Sequence, residues 1–178
     1  MKQSFFRTAG IYTVANASNA ALPLLLLPVL TRYMNPADYG VLVMFQLLST
    51  FVGSFTGLSI HGAVARQFVL LDKLQLATYV ANCLLILFAS TAVVAVFFLA
   101  LSQQLEELSQ FPAPWFWAVI TASFFQFLTL ALLTLWQMEG RAVAYGTLQC
   151  FQTGLNLGLS VWLVVGLELG WRGGVLAQ

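Results

Sequence analysis

Asp, Glu, Lys and Arg are missing from five long windows of this chain: Thr8 to Thr31, Tyr39 to Ala65, Leu74 to Leu105, Leu108 to Met138 and Ala142 to Leu167. The windows are 24, 27, 32, 31 and 26 residues long. A helix needs about 20 predominantly apolar residues to cross a hydrocarbon core about 30 Å thick. A surface helix of a soluble protein has an apolar stripe and a charged face, and these windows lack the charged face. Only 7% of the residues are charged and 60% are hydrophobic, where a soluble domain carries roughly a quarter charged residues. The sequence therefore predicts an all-α membrane protein. Its transmembrane helices are expected over about residues 9–30, 39–60, 78–101, 115–137 and 144–166, with a sixth starting near residue 174.

The placement of charge says more than its sum. A net charge of +1 and the lack of any basic run give no footing for nucleic acid. If the spans alternate in direction, Lys2, Arg7, Arg66, Lys73 and Arg141 fall on one side and Arg32 and Arg172 on the other. Positive charge gathers in cytoplasmic loops, so the N-terminus is expected in the cytoplasm. Asp38, Glu106, Glu107 and Glu168 fall outside by the same alternation, Asp72 and Glu139 inside. Lys2 and Arg7 before an apolar run also suggest a signal peptide, but Asn16, Ser18 and Asn19 interrupt that run early and the strongest apolar stretch, Leu22 to Leu30, follows them. A retained helix fits better. The sequon Asn16-Ala17-Ser18 would lie within the bilayer and is set aside.

Local signals punctuate the spans. Pro23 and Pro28 should kink or interrupt the first helix. Asn35-Pro36 marks a turn, with Tyr33 and Tyr39 beside it as interface anchors. A more polar segment, Arg66 to Gln75, follows the second span. Phe111-Pro112-Ala113-Pro114 opens the fourth, with Trp115 and Trp117 at one end and Trp136 near the other. Glu139-Gly140-Arg141 reads as a tight loop. Apolar residues after Arg172 look like the opening of a sixth helix that is then cut off, which predicts a fragment or truncated product. No repeat of 20–50 residues is visible.

Two faces could carry function. Tyr12, Asn16, Asn19 and Pro23 recur at helical spacing on the first span, and Gln149, Thr153, Asn156 and Ser160 on the fifth, with Gln152 beside them. Amides are costly against lipid tails, so each stripe should face other helices or a wet cavity. Two readings stay open: hydrogen bonds between helices, or a shared polar cavity. Small residues form ridges at Ser49, Gly53 and Gly57 and at Gly146, Cys150, Gly154 and Gly158, suited to close helix packing or to a sliding surface. His61 and Arg66 are expected to close the second span. Arg66 either snorkels as a topology determinant or contacts a phosphate at the inner mouth of a cavity. His61 reads as an interface or core residue before a proton switch. Glu106 and Glu107 read as a solvated cap in a short loop, and Cys83 and Cys150 as small buried side chains without metal spacing. With one histidine, no acid within a span and no nucleophile set, the chain is not expected to be an enzyme.

Several of these segments carry a resemblance. Ala21 to Gly40 (ALPLLLLPVLTRYMNPADYG), Gly57 to Arg66 (GLSIHGAVAR), Gln137 to Arg141 (QMEGR) followed by Tyr145, and Gly170 to Gly174 (GWRGG) stand in order along nearly the whole chain. Together they resemble the N-terminal part of Wzx-type polysaccharide flippases, in the multidrug/oligosaccharidyl-lipid/polysaccharide exporter superfamily. The resemblance implies a carrier that turns undecaprenyl-pyrophosphate-linked oligosaccharide across the bacterial inner membrane for surface polysaccharide biosynthesis. It implies two six-helix lobes working by alternating access, coupled to a proton or sodium gradient and without a bound cofactor. This chain, with five spans and the opening of another, would be the N-terminal lobe over residues 1–178. Basic residues that meet the pyrophosphate are implied too, and Arg66 is the candidate here. Asn16, Asn19, Gln149 and Asn156 are the candidates for lining the cavity. The implied partners are the lipid-linked oligosaccharide, membrane lipids, and the polysaccharide polymerase and assembly proteins. A drug/cation antiporter of the same superfamily is the rival, against which stands the lack of an acid in these spans. A non-transporting subunit of a glycan-assembly complex is the other.

Overall fold

The computed structural model describes residues 2–57, 60–68 and 73–178, and among them every regular element is helical. Residue Asp72 and the side chains of Lys2, Arg7, Pro23, His61 and Lys73 lie outside the described residues. The helices are α1 (Lys2–Tyr33), α2 (Pro36–Phe55), α3 (Ile60–Gln67), α4 (Lys73–Ala100), α5 (Ser102–Ser109), α6 (Phe116–Met138), α7 (Ala142–Val161) and α8 (Trp171–Leu176). Among the described residues, five stretches are long and apolar enough to cross a membrane: Ala9–Tyr33, Pro36–Phe55, Thr78–Ala100, Ala113–Met138 and Ala142–Gly166. This is an all-α membrane protein, in which the short helix α8 follows the last of these stretches.

Several expectations are corrected. Pro23 and Pro28 do not interrupt the first helix, because α1 runs unbroken from Lys2 to Tyr33. Each proline forgoes one bond, to the carbonyl four residues earlier, but unwinding the helix in hydrocarbon would strip partners from many more backbone groups. The second span starts earlier than expected, at Pro36, and ends earlier, at Phe55. His61 and Arg66 therefore lie on a separate helix, α3, and the polar segment is divided between the end of α3 and the start of α4. Glu106 and Glu107 lie on α5 rather than in a loop. The sixth helix begins at Trp171, three residues early, directly after the turn at Gly170.

The helix ends follow from local chemistry. After Tyr33, the Asn35 side chain accepts a hydrogen bond from the Asp38 N–H at 2.7 Å. With Pro36 in the first position, this caps α2. At Glu139-Gly140-Arg141 the two charged side chains pair at 3.2 Å across the glycine, closing the expected tight loop. The fifth span keeps its length but changes pitch, passing from α7 into a wider π-type turn over Trp162–Gly166.

The chain divides into two compact units, one of residues 1–42 and 139–178, the other of residues 43–138. In the second unit, Val64, Cys83, Leu87 and Phe127 from α3, α4 and α6 form a buried cluster. The Ser123 hydroxyl lies within reach of the Ser49 carbonyl at 3.0 Å and the Val119 carbonyl at 2.8 Å, tying α6 to α2. Beyond Phe55 the chain breaks at Gly57, whose φ of +74° disfavours any side chain. A Cβ there would lie 2.5 Å from the Phe127 ring, and the Gly57 N–H donates to the Ser90 hydroxyl at 3.0 Å. Outward-facing Val93 and Val96 on α4 are each 70% exposed. Lipid tails are as apolar as these side chains, so such exposure carries no penalty, and cohesion rests on close packing and interhelical hydrogen bonds.

The small-residue ridges are used in part. Gly146 on α7 lets α1 approach, since a Cβ would lie 2.9 Å from Ile11 Cγ2. At Gly53, Gly154 and Gly158 a Cβ would meet nothing within 4 Å among the described residues. Cys83 is buried as expected, but Cys150 is exposed.

Candidate functional site

In the first unit, α1 and α7 pack along their lengths, and the stripes of polar side chains meet at that seam. The register is set by Gly146 against Ile11 and by Ala15, which is buried at 1% exposure. Immediately before Gly146, Tyr145 donates its hydroxyl hydrogen to Asn16 Oδ1 at 2.9 Å. The Tyr12 ring meets the Tyr145 ring edge to face, with centroids 4.8 Å apart and planes at 78°. Two turns further along α7, the Thr153 hydroxyl donates to Asn19 Oδ1 at 3.4 Å. Asn16, Asn19, Tyr145 and Thr153 thus form a polar zipper with the amides on one helix and the hydroxyls on the other.

Gln149 falls on the same face of α7 between these two bonds, one turn from each. Its side chain is buried, 8% exposed. Yet Oε1 has no hydrogen-bond partner among the described residues, and neither does the Tyr12 hydroxyl. An acceptor left bare in a low-dielectric seam is unfavourable by roughly 1–3 kcal/mol, so this point of the seam is primed for a donor. Asn156 is engaged elsewhere: its Nδ2 donates to the Ala177 carbonyl at the end of α8, at 3.1 Å. Ser160 closes the stripe as a buried side chain.

The seam does not use up its polar groups. Asn16 and Asn19 remain exposed although their oxygens are engaged, and Gln152 beside the stripe is exposed as well. These are neutral donors and acceptors within a membrane-spanning pair of helices. They suit hydrogen bonding to a neutral, hydroxyl-rich ligand or to water, and offer no acid, base or nucleophile. Among the described residues no group of three or more His, Cys, Asp or Glu could hold a metal ion.

Arg66 belongs to the second unit, where it is exposed in the last turn of α3. A cation at that place complements the negative end of the helix dipole. Val64, two residues before it, is buried and anchors the helix. The structure thus joins Asn16, Asn19, Gln149 and Asn156 in one unit and presents Arg66 on an anchored helix of the other.

Tyr145 was missed as a member of the stripe. Its signal was available, because it precedes Gln149 by four residues, the spacing that defines the rest of the row. The link from Asn156 to Ala177 had no such signal, since it depends on how α8 packs.

Among known proteins, this chain is 26% identical over 161 residues to an uncharacterized membrane protein of Haemophilus influenzae. The alignment covers 90% of this chain and 37% of that protein, so the chain spans little more than a third of the relative's length. No family model matches the chain, and no solved structure does. What the fold and this similarity establish is an all-α membrane protein, with five stretches among the described residues long and apolar enough to span a bilayer.

Proposed function

We propose that this chain is the N-terminal lobe of a carrier that turns lipid-linked oligosaccharide across a bacterial inner membrane, with its N-terminus in the cytoplasm. The observation that carries the reading is the α1–α7 seam, where Asn16, Asn19 and Gln152 stay exposed within spans of hydrocarbon length. Amides have no place against lipid tails. A wet cavity that admits sugar hydroxyls accounts for them, and the ordered segments that resemble Wzx-type flippases point to the same substrate. Arg66 is the contact for the pyrophosphate, as an exposed guanidinium able to form charge-assisted bonds to phosphate oxygens. A proton or sodium gradient would drive the cycle.

The test is glycan export in cells that depend on this carrier, with membrane levels of each variant monitored. Replacing Asn16 and Asn19 together by Leu is expected to reduce export strongly, and Arg66→Ala more than Arg66→Lys, since lysine keeps the charge and loses the bidentate geometry. Normal export in all of these variants would overturn the reading.

A further inference from the structure

The short helix α5 connects the end of span α4 to the turn that opens α6. Its two ends are fixed at one depth. Phe98, in the last turn of α4, packs on the Phe116 ring with centroids 6.3 Å apart. Phe111, just beyond α5, packs on the same ring at 5.5 Å. All three rings are buried. If α5 prolonged α4 along the membrane normal, Ser109 would stand about 16 Å beyond Phe98. Two extended residues recover only about 7 Å, leaving Phe111 well short of Phe116. The chain breaks instead at Leu101, with φ −99° and ψ 12°, and turns back at Gln110, whose φ is 56°. α5 therefore runs across the end of its helical unit.

Leu101, Leu105 and Leu108 fall within about 60° of arc on this helix, while Glu106 and Glu107 point to the other side. Leu101 and Leu105 are half-buried. Leu108 overhangs at 85% exposure, more than Val93 or Val96 on the adjoining span at 70%. Past the turn that follows the helix come Trp115 and Trp117, with rings stacked 6.0 Å apart and Trp117 half exposed. Such side chains mark the headgroup level of a bilayer.

We propose that α5 is an in-plane interfacial helix whose leucine face docks on the lipid surface, Leu108 inserting at the boundary of acyl chains and headgroups with Glu106 and Glu107 in water. The occupant is lipid, because α5 is covalently held between the ends of two stretches of membrane-spanning length and carries a leucine left 85% exposed beside them. The glutamate pair makes the site favour zwitterionic over anionic headgroups.

The test places nitroxides at Leu108→Cys and Glu107→Cys in the intact protein, with Cys83 and Cys150 replaced by Ala, in phosphatidylcholine vesicles. Val96→Cys serves as the hydrocarbon reference. Collision with oxygen, which enters the acyl region, is expected to dominate at 108. Collision with a water-soluble nickel chelate is expected to dominate at 107, so the ratio inverts between adjacent residues. Nickel dominance at both positions would place the helix in water and overturn the proposal. Shielding of 108 from both probes would mean that protein covers it, and would overturn the proposal equally. A Leu108→Trp variant retaining both native cysteines repeats the depth measurement through an increment in quenching by brominated lipid, and no increment would also overturn it.

Discussion

The buried amide of Gln149 and the hydroxyl of Tyr145 lie one turn apart on α7 and should respond oppositely to removal. Tyr145→Phe deletes a bond to Asn16 and leaves the amide oxygen exposed to its neighbours without a donor. It should lower stability by about 0.6–2 kcal/mol, the range for interhelical hydrogen bonds in membranes. Gln149→Leu removes an acceptor that has no partner among the described residues, with a side chain of similar size. It should be neutral or mildly stabilising, since a bare buried acceptor is worse than an apolar group. Denaturant titration in mixed micelles measures both. If Gln149→Leu is the more damaging, a donor reaches Oε1 in the membrane. Much at this scale was legible in the sequence: Asn16, Asn19, Gln149 and Thr153 stand out because amides and hydroxyls recur at helical spacing in charge-free spans. Cys150 was misread because burial was assumed for a small thiol, and lipid exposure does not penalise sulfur.

At the scale of elements, the break between α2 and α3 depends on Gly57. Gly57→Ala forces a Cβ into a left-handed backbone, unfavourable by about 1–2 kcal/mol, and toward a ring 2.5 Å away. The double variant Gly57→Ala/Phe127→Leu should recover the part due to the ring and keep the part due to the backbone, as a double-mutant cycle in micelles would separate. Full additivity would show that the ring yields freely. Neither this break nor α5 was legible. The window from Tyr39 to Ala65 holds no charge, so hydropathy runs straight through the end of α2. Glu106 and Glu107 looked like a loop because charge ends a span, yet their leucine neighbours at helical spacing make them one face of a helix. The prolines of α1 do not interrupt it, since hydrocarbon keeps helical what water would let fray.

For the molecule as a whole, what matters is whether the α1–α7 face is wet. Cysteines at Asn16, Asn19 and Gln152 should react with a membrane-impermeant thiol reagent, while cysteines at Val93 or Val96 on α4 should not. Silence at all of the amide positions would leave the stripes as interhelical glue and favour a non-transporting role. The span count was legible because a soluble helix keeps a charged face toward water, and long windows without charge have none. The division into two units was not, because it depends on which helices pair, and hydropathy carries no pairing information.

That pairing bears on how the protein is made. Tyr145 and Thr153 follow their partners Asn16 and Asn19 by 129 and 134 residues. At ribosomal rates of about 5–20 residues per second, α1 spends roughly 6 to 27 s in or beside the membrane before its matching hydroxyls are synthesised. The second unit, contiguous over residues 43–138, is complete before that wait ends. Nascent α1 thus has a built-in interval in which its amides need another host, and a chaperone or the insertion machinery should be crosslinkable to Asn16 in ribosome-bound chains that stop short of Tyr145, and released once Thr153 has emerged.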